Sequence, residues 1–334
     1  MKVLLLGGSG LLGHNVLKQL LQQGHEVRAL LRSFLDSDTA KWPGMAERVT
    51  LFQGSLLDDA VLRSAAEGCD AIINCAGVTD MSLLRYADYL PINRDLCRRM
   101  VELMERQHIT RLVHTSTANT IGYGTPSQPA DEQAPMQPPF SRSYYGLSKR
   151  EGEELLMQAA RRHPDWHIII TNPGFMVGAY DTKPSSGTLL LTGFRKPLMV
   201  APHGGKSFVH VADAATAIVN ALERGQNGHR YLLTGENITL KEFYRLQAQV
   251  CGYRQRIVPL PNAVLALAGW CGDLLRLCGL RTQLSTRNVR QLMVREYYSN
   301  ASASEQLSMP HIPIEQAISD FFAWYLSRPP HGKQ

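Results

Sequence analysis

The sequence has no uninterrupted apolar stretch long enough to span a bilayer, although 44% of its 334 residues are apolar. Its first apolar run, Val3 to Leu6, is too short for the hydrophobic segment of a signal peptide, and no cleavage pattern follows it. The sequence therefore predicts no membrane span and no secretory leader. We expect a cytoplasmic protein.

Clustered basic residues are also missing. No run of Lys and Arg reaches five, and the formal net charge is a modest +6. Nucleic-acid binding usually leaves a strong basic patch, so nucleic acid is not an expected partner. A small-molecule substrate is expected instead, and the slightly basic balance suits an anionic ligand.

The cysteines also lack an ordered spacing. The six cysteines follow neither a metal-binding nor a disulfide-framework pattern, and no metal site is predicted. They are Cys69, Cys75, Cys97, Cys251, Cys271 and Cys278. Such usage fits a reducing compartment. There is also no low-complexity tract and no internal repeat, so an ordinary globular enzyme or binding protein is indicated.

Short apolar runs alternate with amphipathic stretches through residue 178. Strands are predicted at 2–6, 27–31, 49–52, 70–75, 111–115 and 167–171. Helices are predicted at 11–23, at 58–67 with Asp58 as its cap, at 84–107 with an interruption near Pro91, and at 143–162. This alternation is typical of an α/β fold with a doubly wound, Rossmann-type parallel sheet. We assign residues 1–178, with parts of 205–235, to that domain and 179–334 mainly to a smaller substrate-binding lobe.

The second half is less regular. Strands or extended segments are predicted at 208–211, 231–234 and 256–261, and helices at 212–223, 240–251, 262–280, 286–298 and 314–326. Segment 262–280 is unusually apolar for a surface helix. We expect it to be buried under the substrate lobe or to cover an apolar pocket. The alternative is an interfacial helix that brings the protein to a lipid.

A glycine-rich loop follows the first predicted strand at once. Gly7, Gly10 and Gly13 have the spacing that lets a chain turn sharply, approach a phosphate and pack a helix on a strand. The helix N-terminus then offers free N–H donors to a pyrophosphate. The loop predicts dinucleotide binding through Gly7, Ser9, Gly10, Leu11, Leu12 and Gly13.

A second group of residues has catalytic potential. Tyr145 and Lys149 lie four apart on a predicted helix and so share one face. A lysine ammonium near a phenol favours the phenolate, so Lys149 is expected to lower the pKa of Tyr145. Ser116 or Thr117, at the end of the fifth strand, could bind a substrate oxygen beside the phenol. The alternative is a surface Tyr–Lys pair and hydroxyls that only satisfy backbone groups.

These residues together resemble the extended short-chain dehydrogenase/reductase superfamily. The shared segments are G-x-x-G-x-x-G at 7–13, D-A-I-I-N-C-A-G at 70–77, T-S-T-A-N-T-I-G at 115–122, Y-x-x-x-K at 145–149, N-P-G-F-M-V-G at 172–178 and F-V-H-V-A-D-A-A at 208–215. The segment that begins at Asn172 is similar to the dihydroflavonol-reductase-like branch. The resemblance covers essentially the whole chain.

The resemblance implies roles for individual residues. Tyr145 would be the catalytic acid/base. Lys149 would adjust the pKa of Tyr145 and bind the ribose. Thr117, five residues before Gly122, would supply the hydroxyl that binds the substrate. Asn93 would be a supporting polar group or a helix-packing amide. Further cofactor contacts are implied at Ala76, Gly77 and Pro173, together with Ser55 and the Leu56 backbone.

Cofactor preference depends on the end of the second strand. An acidic residue there would bind the ribose 2′-hydroxyl and favour NAD, but the sequence has Arg32 and Ser33. A 2′-phosphate fits that pair, so NADP is expected, with NAD as the alternative. Asp36 or Asp38 reaching back would weaken this preference.

The expected activity is hydride transfer to or from a carbonyl or secondary alcohol, with a fairly apolar substrate preferred to a sugar derivative. Ala118 and Asn119 follow Thr117 where sugar dehydratases carry acidic residues, which argues against dehydration. A nucleotide-sugar epimerase with tightly held NAD and a non-catalytic NADP-binding regulator remain alternatives. Candidate pocket residues are Tyr180, Lys183, Arg195 and His203, and helices 84–107 and 143–162 suggest a homodimer.

Overall fold

The structure is a computed structural model that describes residues 1–32, 48–182 and 185–328. Its strands in chain order are β1 (Lys2–Leu6), β2 (Glu26–Leu31), β3 (Val49–Gln53), β4 (Ala71–Asn74), β5 (Arg111–Thr115), β6 (His167–Pro173), β7 (Phe175–Val177), β8 (Leu198–Pro202), β9 (Gly205–His210), β10 (Arg230–Leu233), β11 (Glu236–Thr239), β12 (Arg256–Leu260) and β13 (Arg295–Glu296).

The helices are α1 (Leu11–Gln22), α2 (Asp59–Ala66), α3 (Leu96–Gln107), α4 (Tyr144–Arg162), α5 (Gly187–Gly193), α6 (Val211–Arg224), α7 (Leu240–Val250), α8 (Asn262–Leu277), α9 (Thr286–Val289), α10 (Ala301–Gln306) and α11 (Ile314–Ser327). A π-helical turn, Pro91–Asp95, precedes α3 where the sequence predicted an interruption near Pro91. Asp58 caps α2 as predicted, since its carboxylate accepts from the N–H groups of Ala60 and Val61.

Seven parallel strands form the main sheet in the order β10-β6-β5-β4-β1-β2-β3. The predicted α/β fold with a doubly wound parallel sheet is confirmed. The strand order reverses at β1, where Val3 has Val27 of β2 on one side and Ala71 of β4 on the other. Open α/β sheets bind ligands at such a switch point, at the carboxyl ends of the strands.

Helices cover both faces of this sheet. Along β1, Val3 and Leu5 face a core shared with α1 and α6, whereas Leu4 and Leu6 face a second core shared with α2, α3 and α4. The alternation follows from the two-residue period of a strand, and burial of both faces explains the continuous apolar run. The central strand is thus fixed from both sides.

A second, mixed sheet lies beyond residue 174. In it β9 pairs with β7, β11 and β13, and a separate two-stranded ribbon joins β8 to β12. A third core packs these strands against α7 and α11, with the Phe208 and Phe243 rings stacked at 4.4 Å. The main sheet nevertheless takes its last strand, β10, from this half of the chain.

The predicted helix at 286–298 is wrong. Only Thr286–Val289 is α-helical and a 3₁₀ turn follows at Arg290–Leu292; the chain then extends so that Arg295 and Glu296 pair with β9. Pairing between segments distant in the sequence has overridden local helix propensity, and the nearly buried Lys206–Glu296 ion pair fixes the extended segment.

The expectation that segment 262–280 is buried under the substrate lobe is also wrong, whereas part of the segment does border a cavity, which Asp273, Arg276 and Leu277 help to line. Helix α8 lies on the surface, and within it only Leu265, Gly269 and Gly272 are buried. In the ranges 1–32, 48–182 and 185–328, no helix combines the length and apolar content needed to cross a membrane.

Candidate active site

Most of the predicted site residues lie at one edge of the main sheet. The glycine loop follows β1, Arg32 follows β2, Ser55 and Leu56 follow β3, Ala76 and Gly77 follow β4, Ser116 and Thr117 follow β5, and Pro173 ends β6. Parallel strands end at the same edge, so their topology collects these residues. Tyr145 and Lys149 come from the first turns of α4.

The glycine loop has the shape that its sequence predicts. Gly7 adopts φ +82°, and a Cβ there would lie 2.6 Å from the Ala76 nitrogen. A Cβ on Gly13 would lie 2.1 Å from the Gly7 carbonyl oxygen. Both positions therefore require glycine for turning and close packing.

Gly10 differs from its two partners. It is exposed, and a Cβ there would meet only the Gly7 carbonyl oxygen, at 3.7 Å. It stands at the N-cap of α1, where no side chain caps the helix. Free space beside an uncapped helix N-terminus fits a pyrophosphate, whose oxygens accept hydrogen bonds from the first N–H groups.

Residues after β7 contact this loop, which the sequence did not reveal. The Asn15 amide donates to the Ala179 carbonyl at 3.2 Å, and the Thr182 hydroxyl reaches the Ser9 carbonyl at 3.5 Å. The Tyr180 ring stacks on His14, with ring centroids 4.1 Å apart. Tyr180, predicted as a pocket candidate, therefore packs against α1 instead.

Lys149 is buried close to the end of β4. Its Nζ donates to the Thr115 carbonyl at 2.6 Å, and a Cβ built on Gly77 would lie 3.7 Å from the same Nζ. Burial lowers the pKa of Lys149. A side chain at Gly77 would fill the space in front of this ammonium, so glycine leaves room there for a ligand hydroxyl.

Asn93 holds the backbone around this ammonium. Its Oδ1 accepts from the Val78 N–H at 2.8 Å, and its Nδ2 donates to the Val78 carbonyl at 3.0 Å and to the Ser148 hydroxyl at 2.9 Å. Asn93 is fully buried. The amide thus ties the segment after β4 to α4, beside Lys149.

Tyr145 and Thr117 are neighbours. The Thr117 side chain is close enough to the Tyr145 phenol to influence its pKa by hydrogen bonding, and the Thr117 oxygen accepts from the Asn119 N–H at 3.3 Å. Burial raises the pKa of Tyr145, the Thr117 hydrogen bond opposes this, and the Glu153 charge adds to the rise. The neighbouring Ser116 hydroxyl is buried without a hydrogen-bond partner among the described residues.

The expectation that Lys149 lowers the pKa of Tyr145 is not met. The Lys149 ammonium points to the Thr115 carbonyl, and burial dominates the environment of the phenol. A raised pKa keeps the phenol protonated at neutral pH. The site is thereby prepared to donate a proton.

A buried polar network behind the site was missed from the sequence. Glu153 Oε1 accepts from the Thr120 hydroxyl at 2.6 Å and from Asn172 Nδ2 at 2.7 Å. The same Asn172 nitrogen donates to the Thr117 carbonyl at 3.1 Å. The available signal was helical spacing, because Glu153 lies four residues after Lys149 and shares its face of α4.

The adenine-side candidates lie at neighbouring strand ends. The Gly54 N–H donates to the Leu31 carbonyl at 2.9 Å, which places Ser55 next to Arg32. Arg32 and Ser55 are exposed, and Leu56 is half-buried. Ser33, Asp36, Asp38 and Lys183 lie outside the described residues.

A cavity of about 940 Å³ lies next to the start of α4. Tyr144, the residue before Tyr145, forms part of its wall and carries the Arg287 guanidinium 3.7 Å from its ring centroid. The apolar lining residues are Leu84, Pro138, Pro139, Leu277, Met293 and Val294. Its charged lining residues are Arg142, Asp273, Arg276, Arg287 and Arg290. Neither Arg195 nor His203, both predicted pocket candidates, lines it.

A Rossmann-type sheet with a glycine loop at its switch point and a hydroxyl, a phenol and an ammonium beside it defines a short-chain dehydrogenase/reductase. A family model described as the NAD dependent epimerase/dehydratase family matches residues 3–234, and the chain belongs to this family. It is an enzyme of the extended type, and its similarity to the dihydroflavonol-reductase-like branch is confirmed.

Relatives and solved structures agree with this assignment. A putative dihydroflavonol 4-reductase of Synechocystis sp. is 26% identical over 96% of this chain and 93% of its own. Sterol demethylase protein B of Methylococcus capsulatus is 26% identical over 98% and 99%. The crystal structure of gox2253 superposes with a TM-score of 0.80 at 26% identity, covering 97% of both chains. Oxidoreductase or epimerase chemistry with NAD(P) is therefore established as the class of activity.

Proposed function

We propose that the enzyme is an NADP(H)-dependent reductase/dehydrogenase that acts on a carbonyl or secondary alcohol. The proximity of Thr117 to Tyr145, with Lys149 in the next turn of the same helix, carries the proposal. Bound nicotinamide would supply or accept the hydride. The residues of the chain would bind the reacting oxygen and move its proton.

Tyr145 is the proposed acid/base. Its raised pKa keeps the phenol protonated, so it can donate to the oxygen of a carbonyl as that oxygen gains negative charge. Thr117, next to the phenol, would orient the same oxygen. Lys149 would hold a ribose hydroxyl in the space that Gly77 leaves open.

NADP is the proposed cofactor. Arg32 is exposed at the end of β2, next to Ser55, where an adenosine 2′-phosphate would lie in this fold. The end of β2 offers no carboxylate at this position in the described chain.

We propose a homodimer through α3 and α4, as the sequence predicts, and sedimentation velocity would measure it.

We infer the kind of substrate from the cavity beside Tyr144, although Thr117, Tyr145 and Lys149 are not among its lining residues. Its wall combines apolar side chains with four guanidinium groups and one carboxylate. An apolar body with an anionic group matches this lining better than a neutral sugar does. Dehydration is not proposed, because Ala118 and Asn119 follow Thr117.

The test is a panel of aldehydes and ketones with NADPH and NADH in parallel, followed by nicotinamide absorbance. Apolar ketones with and without a carboxylate should be paired. We expect net consumption of NADPH, fastest with the carboxylate-bearing member of a pair. No turnover of any member, or turnover unchanged in Tyr145→Phe, would contradict the proposal.

A nucleotide-sugar epimerase is the second candidate, favoured by the description of the family that the chain matches. It would use the same three residues with NAD held tightly and hydride returned to the other face of the sugar. Cofactor that copurifies with the protein, together with no net consumption of added NADPH, would favour it. A non-catalytic NADP-binding regulator is disfavoured, since the chain belongs to a family of enzymes and retains Thr117, Tyr145 and Lys149.

A further inference from the structure

The charged side chains of helix α8 face the protein, which is the reverse of the arrangement in an ordinary surface helix. Both carboxylate oxygens of Asp273 accept from the Thr286 N–H, at 3.2 and 3.3 Å. Arg276 donates to the backbone carbonyls of Met81 and Leu83. The two charges of α8 thus face the protein, whereas a surface helix normally turns its charges to water.

Large apolar side chains occupy the opposite side. Eight of the twelve strongly exposed large hydrophobic residues of the described chain lie within 264–284. They are Val264 (51% exposed), Leu267 (62%), Trp270 (59%), Leu274 (45%), Leu275 (45%), Leu277 (84%), Leu280 (55%) and Leu284 (48%). The six on the helix, from Val264 to Leu277, lie mostly three or four residues apart and form a continuous stripe, called here the outer face of α8. Leu280 and Leu284 belong to the segment that follows the helix.

Small residues fix this orientation. A Cβ on Gly272 would lie 2.1 Å from the Leu284 carbonyl oxygen, and one on Gly269 would lie 2.6 Å from Val289 Cγ2. Only glycine permits such close packing of α8 on the segment that follows. Because the glycine edge faces inward, the outer face remains exposed.

The charge around this face indicates an anionic partner. Residues 254–295 contain seven arginines and a single acidic residue, Asp273, whose carboxylate is turned inward. Five of these arginines are exposed, and two of the five are next to α8, since Arg281 follows the helix and Arg290 lines the cavity together with Leu277. An apolar stripe with an exposed tryptophan and flanking arginines has the composition of an interfacial membrane helix.

We propose that the outer face of α8 docks on an anionic lipid bilayer, with the helix lying in the interface. At 16 residues α8 is about 24 Å long, shorter than the bilayer core. Leu277 belongs to the outer face and also lines the cavity beside Tyr144. Docking would therefore bring the cavity mouth to the lipid, from which an apolar substrate can enter.

The test measures binding of the full-length protein to vesicles without substrate, so its result is independent of the proposed activity. Cosedimentation is compared for phosphatidylcholine vesicles and for equal mixtures with phosphatidylglycerol. We expect binding to the mixed vesicles, and a blue shift of tryptophan fluorescence that Trp270→Phe removes. Absence of binding to the mixed vesicles would overturn the proposal.

Substitutions then locate the contact. Leu267→Ser with Leu274→Ser should weaken binding at least about tenfold, because two leucines would no longer leave water. Leu326→Ser, at a leucine 60% exposed on α11, is the matched control and should change nothing. Arg281→Gln should weaken binding about fivefold on anionic vesicles only.

Self-association is the competing outcome. If sedimentation velocity shows a dimer that the double leucine variant abolishes, and mixed vesicles bind both proteins equally, the outer face is an interface between two copies and the proposal fails. The proposal is supported if the double leucine variant loses vesicle binding while its oligomeric state stays that of the wild type, or while both proteins are monomers.

Discussion

Asn172 Nδ2 lies 2.7 Å from Glu153 Oε1 and joins the end of β6 to the buried side of α4. The Glu153 side chain is 1% exposed, and its second oxygen lies 3.8 Å from Arg150 and 3.9 Å from Arg230. Through Asn172 and Thr120 this carboxylate supports the backbone of Thr117. It touches no reacting atom and acts as a positioning residue.

Replacing Glu153 by Gln tests that role. The free energy of unfolding should fall by about 1–3 kcal/mol, because an amide N–H then faces two guanidinium groups in a buried place. Glu153 also raises the pKa of Tyr145, so the alkaline limb of the pH–rate profile should move to lower pH. A purely structural role would leave that limb in place.

Glu154→Gln is the matched control for this experiment. Its carboxylate is 56% exposed and pairs with Arg150 one turn away. Exposed pairs of this kind contribute little, so stability should change by no more than about 0.5 kcal/mol. Urea unfolding of both variants measures the difference.

Tyr145→Phe should reduce turnover of an identified substrate by about 10² to 10⁴-fold, since the proton donor is removed while the ring remains. Cofactor affinity, measured by quenching of protein fluorescence, should stay within about twofold. In the wild type, reduction should be constant through neutral pH and decline only in strongly alkaline solution, because the raised pKa keeps Tyr145 protonated. Oxidation should instead accelerate as pH rises, since it needs the phenolate.

The glycine loop offers a pair of substitutions with opposite expectations. Gly10→Ala should fold with stability unchanged within about 0.5 kcal/mol, because its Cβ meets nothing closer than 3.7 Å. It should weaken dinucleotide binding at least about tenfold by filling the phosphate side of the loop. Gly13→Ala should destabilise the fold itself, since its Cβ would collide with the Gly7 carbonyl. Thermal unfolding with and without cofactor separates the two effects.

Arg32→Ala should lower kcat/KM for NADPH about tenfold and leave that for NADH within about twofold, because only NADPH carries the 2′-phosphate. Arg63→Ala, an exposed arginine on α2, serves as the control. Equal losses with both cofactors would remove the basis for an NADP preference.

The main sheet was predictable from the sequence because its strands are buried on both faces and its turns carry glycine. The positions of Gly7, Gly13 and Asp58 followed from local chemistry. Pairing of Arg295 and Glu296 with β9 did not, since the partners are about 90 residues apart and only packing brings them together. Tyr180 was one of four candidates to line the substrate pocket, and no signal in the sequence predicted its stacking on His14.

Helix α8 shows a different limit. Its composition predicted an apolar helix, but composition does not state which stripe faces inward. The signal that marks the inner side is the pair Gly269 and Gly272, three residues apart on the helix. A Cβ at either position would collide with the segment that packs on α8. Glu153 was missed for a similar reason, because the sequence alone does not show which side of α4 is buried.

The order of the main sheet also has a consequence for biosynthesis. The strand beside β6 is β10, so the edge of β6 stays unpaired until residue 233 has been synthesised. The apolar stripe of α1 likewise stays exposed until α6 has been synthesised and can cover it. A chain truncated at residue 178 would expose both surfaces and should aggregate. The nucleotide-binding half is therefore expected to complete its folding only after much of the second half has left the ribosome.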